Sequence, residues 1–389
     1  MSSKFMTRVT GLVIRNSCRQ PISNARQVSG SSETTSSKPW KEASSLIIAA
    51  KKNSSNQTSQ VLPKHDDCDF GILMAKRSSK SSFMANAFVF PGGYVELADF
   101  STKWWAVFEA AGMSRNELSR FGSDIQGSRP PIFTEAGVLM QEEYLSADIL
   151  PATVALRITA IRETFEETGI LLLNRPDHGN AGHNLSKTEI KSWQAKIHDN
   201  PSSFPEFCLK VGFCPDIWSL KEWSNWLTPP FEQKRFDTMF HICCLDSSPK
   251  TISDDNEVSR LEWSSPFDML DQHQRNKALL MPPQVYELSR LCNFNSLTEL
   301  KDFASNREKL GVEQWCPQMT ILKDGAVITL PGDDFFDTTF DCKDLSLAEM
   351  RSRSKNGNRI EREGSSWTAV SNIKSGVGHV TPVLLKKAT

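Results

Sequence analysis

Paired cysteines are missing from this 389-residue chain. Its nine cysteines form no Cys-x-x-Cys pair and no Cys/His set at zinc spacing, which excludes a zinc-finger type of module. The odd count and the scatter predict reduced thiols in an intracellular compartment. Cys243-Cys244 lies inside an apolar run and reads as core rather than as a nucleophile. Long apolar runs are also missing: no stretch approaches the ~20 residues that span a bilayer. Excess charge of either sign is absent, with 45 Lys and Arg against 46 Asp and Glu. A net charge of -1 gives no general field that favours nucleic acid. No internal repeat is found at a period of roughly 20–50 residues, so a solenoid is not expected. The 39% apolar content is ample for a core, and the length suits one large domain with extensions, or two domains.

The N-terminus lacks acid. Residues 1–38 carry Lys4, Arg8, Arg15, Arg19 and Arg26 with no carboxylate before Glu33, and they are rich in Ser and Thr. Phe5, Val9 and Leu12 would share one helical face. This composition predicts a mitochondrial transit peptide, with an ordinary disordered tail as the alternative. A secretory signal would need a continuous apolar core, which is not there. The glycosylation-type triplets at Asn53 and Asn56 are therefore read as chance matches.

What the chain does have is concentrated in Arg162-Glu163-Thr164-Phe165-Glu166-Glu167-Thr168-Gly169-Ile170. Val154, Ile158, Ile161 and Phe165 step by four, three and four, which predicts an amphipathic helix. Gly169 suits its left-handed C-terminal cap. Glu163 and Glu167 lie one turn apart, with Glu166 beside them. Such neighbours repel, and a hard divalent cation offsets that because Mg2+ and Mn2+ prefer carboxylate oxygens. For an isolated Glu-Glu pair, a solvated acidic helix face is the ordinary explanation.

Strands are predicted at Ser44–Ala50, Phe70–Arg77 and Asn86–Phe90, the last running into Pro91-Gly92-Gly93. The glycines are read as breaking the strand so that backbone carbonyls turn inward. Trp104, Trp105, Val107 and Phe108 predict a packed helix, and Gly127 to Pro131 a linker. Arg175 to Asn184 reads as a polar loop whose His178 and His183 carry little weight as a metal site. Ile190, Trp193 and Ile197 mark another helix, and His241 to Leu245 and Glu257 to Trp263 further strands. Ser296 and Glu299 have capping-box spacing before a helix. Thr320 to Leu330 alternates around Asp324-Gly325, a hairpin signal. Beyond about Asp341 the chain is polar and no element is assigned.

The string 162–170 resembles the second half of the Nudix box, Arg-Glu-U-x-Glu-Glu-x-Gly-U with U apolar, departing only at Thr164. Gly93 to Asp99 resembles the first half, Gly-x5-Glu, with Asp99 in place of glutamate. Sixty-two residues separate Asp99 from Arg162 where the pattern has seven, so about 55 are inserted. The aromatic stretch Trp218–Pro230, Arg235 to Phe240 and Pro282-Pro283-Gln284-Val285-Tyr286-Glu287 resemble the acyl-coenzyme A diphosphatase branch of the Nudix hydrolases, with the insertion at the same place. The resemblance covers roughly residues 39–335.

That resemblance implies an α/β fold, a mixed sheet between helices in an α/β/α sandwich. The expected organisation is a Nudix domain over 39–275 with the insertion at about 100–153, a helical and hairpin extension over 276–340, and a polar tail over 341–389. It implies metal-dependent hydrolysis of the diphosphate of coenzyme A or its acyl esters, giving 3',5'-adenosine diphosphate and the (acyl-)4'-phosphopantetheine. Glu163, Glu166 and Glu167 are the expected ligands of Mg2+ or Mn2+, with Glu257 as a candidate from outside the box. Glu163 is equally readable as the group that orients or deprotonates the attacking water, and Arg162 as the group that orients a glutamate. A carbonyl of Gly92 or Gly93 would complete the shell, and Arg77 and Lys80 are candidates for the 3'-phosphate. Two other readings stay open: a pyrophosphatase for a nucleotide sugar or dinucleotide, and a non-catalytic Nudix-fold binding module. Related enzymes are typically peroxisomal, yet this chain ends Lys387-Ala388-Thr389 rather than in a Ser-Lys-Leu-type signal. With the basic N-terminus, that favours mitochondria.

Overall fold

The computed structural model describes residues 40–52, 68–81, 84–135, 148–174, 185–230, 232–254, 257–338 and 342–384. Residues 1–38 and the loop with His178 and His183 lie outside that set. Strand β1 (Lys41–Lys51) is the spine, and its residues 43–50 are buried. Its apolar run Leu46–Ala50 is what a strand covered on both faces requires, and the buried Ser44 and Ser45 hydroxyls are hydrogen-bonded. It is followed by β2 (Phe70–Arg77), β3 (Ala87–Val89) and β4 (Gly92–Tyr94). The insertion supplies helices α1 (Lys103–Ala110) and α2 (Arg115–Ser119). Next come α3 (Ala152–Thr168), β5 (Leu173–Asn174), α4 (Lys187–Asp199), α5 (Ser203–Val211), β6 (Cys214–Pro215), β7 (Lys221–Leu227), β8 (Phe236–Leu245) and β9 (Val258–Ser264). The extension holds α6 (Pro266–Gln274), β10 (Leu279–Leu280), α7 (Pro282–Leu291), α8 (Leu297–Arg307) and β11 (Gln314–Trp315). The chain continues through β12 (Gln318–Ile321), β13 (Ala326–Thr329), α9 (Leu347–Arg353), β14 (Asn358–Glu363) and β15 (Ser366–Ser371).

The main sheet is mixed, in the order β10-β3-β2-β1-β8-β7-β11. β1 runs parallel to β8 from Lys41↔Phe236 to Ala50↔Leu245. β1 also pairs antiparallel with β2 at Ala49↔Ile72 and with β4 at Ser44↔Gly93. β9 pairs with β2. Side chains alternate between faces along a strand. Leu46, Ile48, Leu73 and Cys243 pack with the stripe Val154, Ile158, Ile161 and Phe165 and with α1, α4 and α5. Ile47, Ala49, Ile72, Met74 and Ile242 pack with α6, α7 and α8. The result is the expected helix–sheet–helix sandwich.

Two features tie the layers together. Glu287 on α7 is fully buried and accepts the indole N–H of Trp223 and of Trp226, each at 2.8 Å. That bond set explains why the tryptophan-rich stretch and the Pro-Pro-Gln-Val-Tyr-Glu segment occur in one chain. The second feature joins the insertion to the extension. Gly127 and Gly311 cross backbone to backbone: a Cβ on Gly127 would land on Leu310 O, and one on Gly311 on Ser128 O. Beside the crossing, Glu222 on β7 takes ion pairs from Arg129 of the insertion and Arg157 of α3. Arg157 also reaches Glu308 at 3.0 Å.

Beyond Asp341 the structure corrects the sequence reading. The segment read as a polar tail is folded from residue 342. β13 pairs with β14 and β14 with β15, completing a four-stranded sheet with β12. One face of that sheet buries Ile328, Ile360 and Ala369 against the second core layer. The other face buries Val327 with Leu347 and Met350 of α9, and the buried charges of β14 are paired, Glu361 with Arg351 and Arg359 with Asp333. The hairpin around Asp324-Gly325 is present as β12 and β13, paired at Ile321↔Ala326.

Candidate active site

Helix α3 carries the acidic cluster. Pro151 precedes it, and its carbonyl accepts from the N–H groups of Val154 and Ala155. Gly169 ends it at φ 69°, in the left-handed region. Gln194 of α4 donates its side-chain amide to the carbonyls of Phe165 and Glu166, at 3.1 and 3.0 Å. Glu163, Glu166 and Glu167 thus sit near the negative end of the helix dipole, with no basic residue in the last turn. Local structure therefore disfavours them twice, by repulsion and by dipole.

Arg162 offsets part of this. It is 1% exposed, and each of its N–H groups has an acceptor. Nε and Nη2 grip Asp99 with both bonds at 2.9 Å. Nη1 donates to Glu163 and to Glu166, each at 2.8 Å. Nη2 also donates to the carbonyl of Tyr94 at 2.9 Å. Burial opposes its charge, yet Asp99 and Glu163 raise its pKa well above the ordinary value. Asp99 further accepts from the Thr159 hydroxyl at 2.8 Å and from the Glu96 N–H at 3.0 Å. This set brings the glycine turn back to α3 across the long insertion. Aspartate is long enough here because Arg162 reaches out to it.

Gly92 is required to be glycine by its backbone, and Gly93 by the carboxylate beside it. Gly92 has φ 153°, and a Cβ there would sit 2.5 Å from Ser44 O. A Cβ on Gly93 would land on the Glu163 carboxylate. The sequence reading assigned carbonyls to this turn. What the turn presents to Glu167 is the Gly92 N–H, 3.1 Å from Oε2. The Pro91 carbonyl is taken by the Leu46 N–H and the Ser45 hydroxyl.

Burial raises the pKa of Glu163 to about 7, with Arg162 opposing and Glu166 adding to the rise. Burial also holds Glu167 well above the carboxylate range, aided by Glu163 and Glu257 and opposed by Gly92 and Arg77. Arg77 and Glu257 meet at the ends of β2 and β9, where the Ser78 N–H donates to Glu257 O at 2.7 Å. Arg77 also donates to the Ser81 hydroxyl. Glu257 and Lys80 are exposed. Glu166 shares Arg162 Nη1 with Glu163, and its second oxygen lies 3.4 Å from Nδ1 of His198 on α4. Among the described residues, no three His, Cys, Asp or Glu side chains converge as a metal cage. Arg162 draws Glu163 and Glu166 toward itself. A cavity of about 220 Å³ lies elsewhere, lined by Tyr286, Arg290 and Trp315 of the extension and by none of the box residues.

The donor set suits a hard cation. It is all carboxylate, buried, and short of compensating charge at Glu167. Mg2+ keeps several waters and takes only one or two protein carboxylates, so an open pair such as Glu163 and Glu167 fits it without a closed cage. Compared with known families, residues 40–291 match the NUDT19 Nudix domain. The chain belongs to that Nudix family. A Xenopus laevis protein named acyl-coenzyme A diphosphatase NUDT19 is 36% identical over 90% of this chain and 97% of its own. The Gallus gallus protein of that name is 40% identical over 76% of this chain and 80% of its own. The Homo sapiens one is 33% identical over 84% and 88%.

Within this Nudix site, sequence reasoning missed Asp99 as the partner of Arg162, and His198 as the partner of Glu166. It also missed a buried pair behind β4, the Ser44 hydroxyl 3.2 Å from Nδ1 of His241. Burial, then Arg157 and Arg129, hold His241 neutral. No local spacing links these residues; only the strand register brings Ser44 and His241 together.

Proposed function

We propose that the chain hydrolyses the diphosphate bond of coenzyme A and its acyl esters, using Mg2+ or Mn2+. The observation that carries this is a complete acidic helix turn, Glu163, Glu166 and Glu167, set against Gly92-Gly93 in a chain whose relatives are named acyl-coenzyme A diphosphatases. Glu163 and Glu167 would hold the cation, with Glu166 and Glu257 as further ligands. When bound, the ion supplies Lewis-acid polarisation of phosphoryl oxygen and lowers the pKa of water.

The chain's own groups do the rest. Arg162 locks Glu163 and Glu166 in orientation through charge-assisted bonds. Gly93 leaves room for the Glu163 carboxylate, and the Gly92 N–H fixes one oxygen of Glu167. Glu163 is also the group that could orient or deprotonate the attacking water. Arg77, at the end of β2, would offer positive charge to the substrate's diphosphate. Water attack then releases 3',5'-adenosine diphosphate and the (acyl-)4'-phosphopantetheine.

The deciding experiment is mass-spectrometric product analysis of purified protein with coenzyme A, with and without Mg2+ or Mn2+. Metal-dependent 3',5'-adenosine diphosphate is the expected product. A folded protein that cleaves nucleotide sugars and leaves coenzyme A intact would overturn the substrate assignment. The basic N-terminus supports mitochondrial targeting as part of the same proposal. Unchanged location after removal of residues 1–38 would overturn that part.

A further inference from the structure

One surface beside the box is used by none of the chemistry above. Tyr94 follows Gly93 directly in β4 and is 42% exposed, although it is a large aromatic residue. Gly93 turns its bare α-carbon to Glu163, so Tyr94, one residue on, projects to the opposite side of the strand. Its ring lies 5.4 Å from the ring of Phe236 at the start of β8. Lys41, paired in register with Phe236, holds its ammonium 5.3 Å from the Tyr94 ring. Arg235 stacks on Trp40 next door, at 5.4 Å. Asp237, the acid beside Phe236, is buried and accepts from Asn225 at 2.7 Å and Gln314 at 3.1 Å. The rim is therefore aromatic and cationic, one residue away from the acidic cluster.

We propose that Lys41, Tyr94 and Phe236 form the recognition surface for the 3'-phosphoadenosine end of the substrate. This rests on the coenzyme A reading for the ligand's identity. An exposed aromatic with a cation over its ring suits a purine that carries a phosphate: the rings take the base face, and the ammonium takes the phosphate oxygens. The placement also divides the cations sensibly. Arg77 is proposed above for the diphosphate, which leaves Lys80 and Lys41 for the 3'-phosphate, and of these two Lys41 is the one whose ammonium is placed over an aromatic ring. Lys41 is exposed and stands on the far side of β4. Tyr94 follows Gly93, whose α-carbon faces the Glu163 carboxylate, so the surface begins one residue from the acidic cluster.

The test uses the full chain and two readouts. Equilibrium binding compares 3',5'-adenosine diphosphate with 5'-AMP, and kinetics compares coenzyme A with 3'-dephospho-coenzyme A. Wild type is expected to bind 3',5'-adenosine diphosphate at least tenfold more tightly than 5'-AMP. Lys41→Ala should bring that ratio near one, while Lys41→Arg keeps most of it. Tyr94→Leu should weaken both nucleotides about tenfold, and Tyr94→Phe should restore both. In kinetics these losses should fall on KM, with kcat within about twofold. Equal behaviour of Lys41→Ala and wild type toward the two nucleotides would overturn the surface, even where coenzyme A is turned over normally. Lys41-dependent nucleotide binding without coenzyme A cleavage would support the surface and overturn the proposed reaction instead.

Discussion

At the scale of single residues, the site is a balance between buried carboxylates and one arginine. Glu167→Gln removes an anion while nearly keeping shape. Turnover should fall by orders of magnitude with circular dichroism unchanged, because only charge is lost; wild-type turnover at saturating Mg2+ would refute its assigned role. Glu163 gives a pH signature in chelator-treated protein. Its folded pKa is raised to about 7 by burial, above the unfolded carboxylate value. The folded state then binds the extra proton, so this group's contribution is present at low pH and lost as pH rises through 7. Glu163→Gln should therefore match wild type in Tm near pH 4 and exceed it by pH 8. Thermal unfolding across that range checks the sign, and equal slopes would refute it. Gly93→Ala should cost activity far more than stability, because the added methyl displaces the carboxylate of Glu163. Much of this was legible in sequence, since all three glutamates and Arg162 come from one helix turn. Asp99 and Thr159 as partners were not, because contacts across the insertion leave no local spacing.

At the scale of elements, legibility followed burial. The sequence places β2 at its observed limits because both faces are covered and the run Phe70–Ala75 is unbroken. α3 was read from its stripe and its glycine stop. β14 and β15 are not legible, because buried charges such as Arg359 and Glu361 resemble a solvated tail until their partners Asp333 and Arg351 are known. Their removal has a definite consequence. A chain stopped after residue 338 loses β14, one of the two partners of β13, and with it the 2.6 Å bond from the Tyr286 hydroxyl on α7 to Asn358 on β14. Exposure of Ile328 and Leu330 should then make the protein aggregate, as light scattering would show; a soluble chain with wild-type Tm would contradict the packing described.

At the scale of the whole molecule, the insertion, α3, β7 and the extension meet at Glu222. It is fully buried, with Arg157 beside it and Arg129 partly exposed. Glu222→Ala leaves two guanidinium groups without their shared carboxylate, and a broken buried pair costs roughly 3–5 kcal/mol. Denaturant unfolding should show that loss with little change in KM, since Glu222 touches no proposed substrate group. A change confined to KM would instead place Glu222 in the binding site.

The crossing of Gly127 over Gly311 carries this further. Two segments 184 positions apart in the chain occupy each other's only room, and neither glycine tolerates a side chain without moving the other's backbone. In terms of descent, they make a single trait: a relative that lost the insertion would leave the extension's loop unsupported, and one that lost the extension would leave the insertion without its seat. Grafting either segment alone onto a smaller Nudix scaffold should leave it unfolded, as hydrogen exchange would show, whereas the two transplanted together should be protected.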